Sequence, residues 1–421
     1  MPTHITHLDH PIDVMYLIHN AIRTEARRSR QAIEQLEAGG NFKPFLNDFY
    51  QWAMALGYHE EAEYKYVLPF LPDTLPARYN EVGHKELLAG LEDLQMCLHE
   101  ELGRTLVIPR TQRQLFGKVI ALLITQADLL EEEEELHLPM IRQHVGEAKQ
   151  LEMARHLLFD PDSEDERWML EWVAQNVTEP ERQVLAELVA RFETMPNGLA
   201  PLPEDERTPS GASPAATPEL EMATVAAKMS FEHPIDVMYL IHKALRIEAW
   251  RVVSTAERLD IGESLQPFLS AFDSWEKTLR FHAAMEDVYM TPLLPASPLV
   301  QDNESAHQRL EQGLEAIRTY VQAIGHDPVT TRTRRRLFGK VVALRIDQDD
   351  HLEEEEELVL PIIRERLSAT QQLAITQRLL FDLQTEDEGW VLAWLMQELT
   401  DTERDALTAL TARFTISTWE D

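Results

Sequence analysis

The sequence predicts an all-α protein built as two tandem four-helix up-and-down bundles, each with a C-terminal tail of short helices. The first reason is a repeat, because HPIDVMYLIH at residues 10–19 returns unchanged at residues 233–242. The second is the spacing of apolar residues, which recur three, four and seven positions apart in each copy, as on one face of a helix. No strand-like alternation competes with this pattern. A chain of 421 residues with such a repeat is expected to fold as two domains.

The repeat also sets the domain boundaries. The segment EEEEEL at residues 131–136 returns at residues 353–358, so the two copies resemble each other far beyond their first helix. Between the copies, residues 196–230 are rich in Pro, Ala, Thr and Glu and poor in large apolar residues, which predicts a flexible linker. We therefore assign residues 1–195 to domain 1 and residues 231–421 to domain 2.

Four successive apolar stripes in copy two each predict one helix of a bundle. Their residues are, in chain order, Ile235, His242, Leu245 and Ala249; Phe268, Phe272, Trp275, Leu279, His282 and Glu286; His307, Leu310, Leu314, Ile317 and Val321; and Leu337, Val341, Leu344, His351, Glu355, Leu358 and Ile362. Histidine and glutamate thus continue the core-facing stripes. Capping-box sequences predict the starts of the tail helices. These are Thr178 with Glu181, Ser368 with Gln371 and Thr400 with Glu403.

Composition excludes some classes of function. A net charge of −34 disfavours nucleic acids and anionic membrane surfaces, because like charges repel. No apolar stretch approaches the ~18 residues of a transmembrane helix, and the N-terminus shows no signal-peptide pattern. A single cysteine, Cys97, rules out an internal disulfide framework and fits a reducing compartment. We therefore expect a cytoplasmic protein that binds neither nucleic acid nor membrane.

The candidate functional residues are histidines and glutamates that recur in both copies. Copy two offers His242, His282, Glu286, His307, His351 and Glu355, and copy one offers His19, His59, Glu63, His84 and Glu133. Leu129 stands in copy one where copy two has His351. Two H-x-x-x-E pairs and a single histidine from each remaining helix give copy two six inward ligands, and bundle interiors build dinuclear carboxylate sites in this way.

The ligand types narrow the choice of metal. Imidazole and carboxylate suit iron, and also zinc, manganese or cobalt, whereas no thiolate is offered. We take two irons in domain 2 as the leading prediction. If both glutamates bridge, each iron has two histidines and two carboxylate oxygens, and a bridging oxo or hydroxo group adds a fifth ligand. One position on each metal then stays open for dioxygen, peroxide or another small ligand.

Each piece of the pattern also has a plainer interpretation. A lone buried histidine is more often a satisfied core group than a ligand, and the glutamate runs are mostly solvated faces from which about one residue in five faces inward. Glu354 lies three residues after His351 and competes with Glu355 for that inward position. The conjunction favours a metal, because four inward histidines on four helices would leave buried polar groups without partners.

The order His, H-x-x-x-E, His, H-x-x-x-E over four helices resembles the hemerythrin-like (HHE cation-binding) family. It looks closest to the branch with four histidines and two glutamates, like the hemerythrin domains of iron-sensing ubiquitin ligases in plants and animals. The resemblance implies a diiron site at the six positions of copy two. Oxygen-carrying hemerythrins use a fifth histidine where this chain has Glu311, so reversible oxygen transport is not implied. A RING domain needs several cysteines and this chain has one, so the resemblance does not imply ubiquitin transfer either.

The two copies lead to different expectations. Because Leu129 removes one imidazole, we predict that domain 1 binds metal weakly, binds one ion, or binds none. For the whole chain we expect a protein that binds or senses dioxygen, iron or a related small oxidant through the diiron centre of domain 2. Two alternatives stay open. One is a diiron oxidase- or peroxidase-type enzyme, and the other is a metal-holding structural or partner-binding scaffold whose protein partner the sequence does not identify.

Overall fold

Helices make up the secondary structure of the described residues, and no strand occurs among them. This computed structural model describes residues 5–36, 43–71, 75–101, 109–192, 231–294 and 298–414. Internal contacts divide the chain into two compact units, Met1–Ala215 (unit 1) and Ala216–Asp421 (unit 2). The linker predicted at residues 196–230 lies outside the described residues. Among the described helices, none combines the length and apolar character that a bilayer span requires.

Four long helices form the bundle of unit 1. They are α1 (Val14–Glu34), α2 (Lys43–Tyr66), α3 (Leu75–Glu101) and α4 (Pro109–Glu132). Each packs on the next, and α4 packs back on α1, which closes the ring. A π-helical turn (Glu133–His137) extends α4, and a tail follows: α5 (Leu138–His144), α6 (Glu147–Leu158), α7 (Trp168–Asn176) and α8 (Glu179–Phe192). Within the tail, α6 lies against α2, and α7 lies against α1.

Unit 2 repeats this arrangement. Its bundle helices are α9 (Met238–Glu257), α10 (Gln266–Tyr289), α11 (Pro298–Ile324) and α12 (Thr331–Glu354), and the same ring of contacts joins them. A π-helical turn (Glu355–Val359) extends α12, and the tail is α13 (Leu360–Arg366), α14 (Ala369–Leu380), α15 (Trp390–Glu398) and α16 (Asp401–Thr411). The prediction of an all-α bundle fold is confirmed.

Large side chains and close helix contacts fill the core of unit 2. Trp275 is fully buried, and its indole Nε1 donates a hydrogen bond of 2.6 Å to Oε1 of the buried Gln348. Helices α11 and α12 approach closely at Gly313, where an added Cβ would lie 2.8 Å from Cδ1 of Leu344. These contacts hold the bundle helices at fixed distances, which is a requirement for a site built from four of them.

The tail of unit 2 packs on the bundle through its tryptophans. The ring of Trp390 meets Phe281 of α10 edge to face, with centroids 5.3 Å apart, and Trp394 Nε1 donates to Glu248 of α9 at 2.9 Å. Ser368 forms its capping box with Gln371, and Thr400 forms one with Glu403, whereas at Thr178 the backbone N–H and the hydroxyl both donate to Glu181. The tail thereby braces the outer faces of α9 and α10.

The π-helical turn changes the register of the fourth helix. Leu358 and Ile362 were predicted to face the core, but Leu358 is 47% exposed, and the buried residues are Val359 and Ile363. The prediction was wrong here because a π-turn inserts one extra residue, so every later side chain shifts by one position. Such turns are frequent at functional sites, and this one begins at Glu355.

Candidate metal centres

All six candidate ligands of unit 2 meet in the bundle interior. They come from all four bundle helices and the π-turn: His242 on α9, His282 and Glu286 on α10, His307 on α11, His351 on α12 and Glu355 at the start of the π-turn. Each is at most 7% exposed. Glu354, the competing candidate, is only partly buried, so Glu355 takes the inward position.

Glu355 presents its two oxygens to different histidines. Its Oε2 lies 3.4 Å from Nε2 of His242 and 3.9 Å from Nε2 of His282, whereas its Oε1 lies 3.6 Å from Nε2 of His351. The carboxylate therefore stands between a histidine pair on one side and His351 on the other. A carboxylate so placed can bridge two metal ions.

Glu286 divides its oxygens in the same way. Its Oε1 lies 3.1 Å from Nε2 of His282, and its Oε2 lies 3.3 Å from Nε2 of His307. The Nε2 atoms of His307 and His351 are 2.9 Å apart, so these two rings converge on one point. The ligand atoms thus form two groups, each gathered within 4.8 Å: His242, His282, Glu286 and Glu355; and Glu286, His307, His351 and Glu355. Two adjacent cation positions would share both carboxylates.

The donor atoms of unit 2 fit a cation. Nε2 of His242, Nε2 of His282 and both oxygens of Glu286 are buried and lack hydrogen-bond partners. Leaving buried polar atoms unsatisfied costs about 1–3 kcal/mol each, and more for a charged group. A cation ligated by these atoms would satisfy all of them at once, whereas no protein donor or acceptor does so.

Outer carboxylates orient two of the histidines. Oε1 of Glu356 lies 2.8 Å from Nδ1 of His242 and also accepts a hydrogen bond of 2.8 Å from Arg246. Oδ1 of Asp287 lies 2.7 Å from Nδ1 of His307. Each contact turns Nε2 of its ring toward the interior, as outer partners of metal-binding histidines do. Glu355 is the buried glutamate of its run, and its partly buried neighbour Glu356 acts as an outer partner of His242.

Burial and neighbouring charges set the pKa values of the cluster. Burial alone would raise the pKa of Glu286, but the nearby imidazoles of His307 and His351 outweigh it and lower the pKa to about 2. Burial lowers the pKa of His282, and the charge of His242 lowers it further. Burial also opposes protonation of His242, yet Glu355 and Glu356 raise its pKa to about 9. Protons therefore compete with metal ions for the same Nε2 atoms.

Unit 1 brings its five candidate ligands together as well. His19 lies on α1, His59 and Glu63 on α2, His84 on α3 and Glu133 at the start of the π-turn. Their ligand atoms form two groups of three, each within 4.8 Å: His19, His59 and Glu133; and Glu63, His84 and Glu133. Nε2 of His19 lies 3.2 Å from Oε2 of Glu133, and Nε2 of His84 lies 3.9 Å from Oε1 of the same residue.

Two residues of unit 1, His137 and Glu60, also lie in this interior although the sequence pattern did not predict them. His137 is fully buried at the end of the π-turn, with Nδ1 3.7 Å from Oε1 of Glu63. Glu60 is 3% exposed and contacts Nδ1 of His84. A signal for His137 was present, because copy two has Val359 at the equivalent place, so the copies differ by a histidine there as well.

Comparison with known proteins points to one family. The family model described as hemerythrin HHE cation binding domain matches residues 233–372, a segment that contains all six candidate ligands of unit 2. A search of curated proteins found no match, and neither did a search of solved structures. The match supports the resemblance drawn from the ligand pattern. Residues 233–372 are therefore similar in sequence to hemerythrin HHE cation-binding domains, and they form a helical bundle with histidine and glutamate groups that could hold a metal.

Proposed function

We propose that unit 2 holds a pair of iron ions and uses them to bind or sense dioxygen, iron or a related small oxidant. The observation that carries this proposal is the placement of Glu286 and Glu355, each of which turns its two oxygens toward different histidines. Two positions, each with two imidazoles and two carboxylate oxygens, suit two ions of iron. We assign the function to the cytoplasm, because a chain with one cysteine does not depend on an oxidising compartment.

The protein's own residues link the site to the fold. When bound, an iron pair would supply redox chemistry and a binding position for a small oxidant. Because the ligands come from four helices, metal binding adds to the folding free energy of the bundle. Helix α9 contributes one ligand, His242, whose ring is also held by Glu356 of the π-turn. A change in metal content or charge would then loosen α9 by weakening its link to the site, which is a means of signalling.

The test is the metal content and absorption spectrum of protein purified under reducing, anaerobic conditions. We expect iron in unit 2 and new near-ultraviolet and visible bands on exposure to air. In His351→Ala the bands that arise from unit 2 should be lost. The matched control is His326→Ala, which removes an exposed histidine from the same unit. Zinc in place of iron, or bands unchanged in His351→Ala, would contradict the proposal.

A second candidate function is oxidation of small molecules, such as peroxide turnover. It is favoured by an open cleft of about 750 Å³ between α10 and α11, lined by Ala283, Asp287, His307 and Glu311 among others. His307, one of the proposed ligands, lines this cleft, so the cleft adjoins the proposed centre. We expect Ala283→Leu to slow peroxide turnover while iron content is kept. Turnover no greater than that of free iron would exclude this function.

A further inference from the structure

The two units differ by an exchange of one imidazole along the fourth helix. Unit 1 has Leu129 where unit 2 has His351, and it has His137 where unit 2 has Val359. All four side chains are buried, with exposures of 3% or less. Both units therefore place four histidines in the interior around an equivalent pair of buried glutamates. The units differ in the position of the fourth imidazole. In unit 2 it comes from His351, which precedes Glu355, and in unit 1 it comes from His137, which follows Glu133.

His137 lies against the carboxylate that an added ligand must reach. Its Nδ1 is 3.7 Å from Oε1 of Glu63, and the other oxygen of Glu63 is 3.8 Å from Nε2 of His84. Glu63 is fully buried and thus lies between imidazoles, as Glu286 does in unit 2.

The π-turn is what brings His137 inward. The turn runs from Glu133 to His137, and the preceding residue, Leu136, is 41% exposed, whereas His137 is fully buried. The same register shift buries Val359 in unit 2. Leu129 lies one turn before Glu133, and His137 lies one turn after it. The imidazole of His137 therefore approaches the Glu133 carboxylate from the opposite side to a histidine at position 129.

Other atoms of unit 1 indicate a ligand in this interior. Nε2 of His19, both ring nitrogens of His59, and both oxygens of Glu63 and of Glu133 are buried without hydrogen-bond partners. In both units the histidine of the third bundle helix has an outer carboxylate partner, but the partner comes from different positions in the two units. Glu60 contacts Nδ1 of His84, although the residue equivalent to Asp287 is a tyrosine in unit 1.

We propose that unit 1 holds metal in its own right and that His137 replaces the lost imidazole as a ligand. The ligand set is then His19, His59, Glu63, His84, Glu133 and His137. The inference rests on the proposed function of unit 2 only in the choice of ferrous iron as the probe. It replaces the expectation of a damaged site with that of a rearranged one.

The experiment uses the full chain with unit 2 disabled by His282→Ala and Glu286→Ala. Anaerobic titration with ferrous iron should show binding by this chain. Adding His137→Val, which installs the residue that unit 2 accommodates at this position, should weaken the affinity at least about tenfold. Adding Leu129→His as well should restore binding, and this would show that His137→Val removes a ligand rather than the fold. As a second control, the variants should have matching unfolding curves in the presence of a chelator.

Other results would overturn the inference. Iron binding that is unchanged by His137→Val removes the role of this histidine. No binding by the disabled chain means that unit 1 is not a metal site, and iron bound by the wild-type chain would then still support the proposed function of unit 2. If the wild-type and disabled chains bind equal amounts of iron, the proposed function of unit 2 fails and the inference for unit 1 stands.

Discussion

Replacing Glu356 with alanine is expected to weaken metal binding by unit 2 while all six proposed ligands stay in place. Oε1 of Glu356 lies 2.8 Å from Nδ1 of His242 and 2.8 Å from Nη1 of Arg246. Burial would raise the pKa of Glu356, but the hydrogen bonds from His242 and Arg246 lower it, so the group is an anion at neutral pH. Without this anion the ring of His242 loses the contact that turns its Nε2 inward.

The size of the effect follows from the role and exposure of the side chain. Loss of an outer partner of a metal-binding histidine costs about 10–100-fold in affinity, which is about 1.4–2.8 kcal/mol. The side chain of Glu356 is 21% exposed, so water can replace part of its hydrogen bond. We therefore expect a loss nearer to tenfold. Glu356→Gln, which keeps a neutral acceptor, should lose less than Glu356→Ala.

The assay is competition for ferrous iron against a chromophoric chelator under anaerobic conditions. The matched control is Glu357→Ala, which removes an exposed glutamate from the same run and the same negative charge. If both alanine variants lose affinity equally, the effect is one of net charge and the argument from ring orientation fails. If neither variant loses affinity, His242 does not depend on Glu356 for its position.

Three further predictions concern stability. Chelation should lower the unfolding temperature of unit 2, because metal binding contributes to folding, and calorimetric transitions that are unchanged by a chelator would contradict this. Gly313→Ala should destabilise unit 2 by about 1–3 kcal/mol through overpacking. Gly57→Ala, where an added Cβ meets nothing within 4 Å, should stabilise unit 1 by about 1 kcal/mol. Equal effects of the two substitutions in denaturant titrations would refute the packing argument. Trp275→Phe should cost about 1–3 kcal/mol, because the buried Oε1 of Gln348 loses its donor; an unchanged denaturation midpoint would show that water satisfies this oxygen.

The inward ligands of unit 2 could be predicted because helical periodicity decides which side chains face the core. His282 and Glu286 lie four residues apart and share a face in any straight helix. The same reasoning fails after Glu355, because the register there depends on the π-turn. The sequence pattern favours Leu358, which is larger than Val359 and fits the heptad, yet the structure exposes Leu358 and buries Val359.

The outer carboxylates could not be predicted for a different reason. Whether Asp287 or a neighbour reaches Nδ1 of His307 depends on the distance and rotation between α10 and α11, and periodicity within one helix does not specify either. In unit 1 this role falls to Glu60, which directly follows His59, whereas Asp287 directly follows Glu286. The equivalent histidines of the two units therefore take their outer partner from different positions of the second bundle helix, and sequence alone does not distinguish these positions.

The packing around Leu129 explains how unit 1 tolerates the exchange of an imidazole. Leu129 fills the place that His351 occupies in unit 2, and an added Cβ on Gly83 would lie 3.0 Å from its Cδ1. Unit 2 has Ala306 at the position of Gly83, so unit 1, which needs space for Leu129, is the unit that lacks the methyl group there.

Filling this volume with leucine repairs the packing but leaves the charge of Glu133 and Glu63 unbalanced. Burial and the charge of Glu63 raise the pKa of Glu133 well above its usual value, so its anion is disfavoured in this interior unless a cation balances it. Leucine therefore accounts for the shape of the interior, and only an added imidazole or a metal ion accounts for its charge.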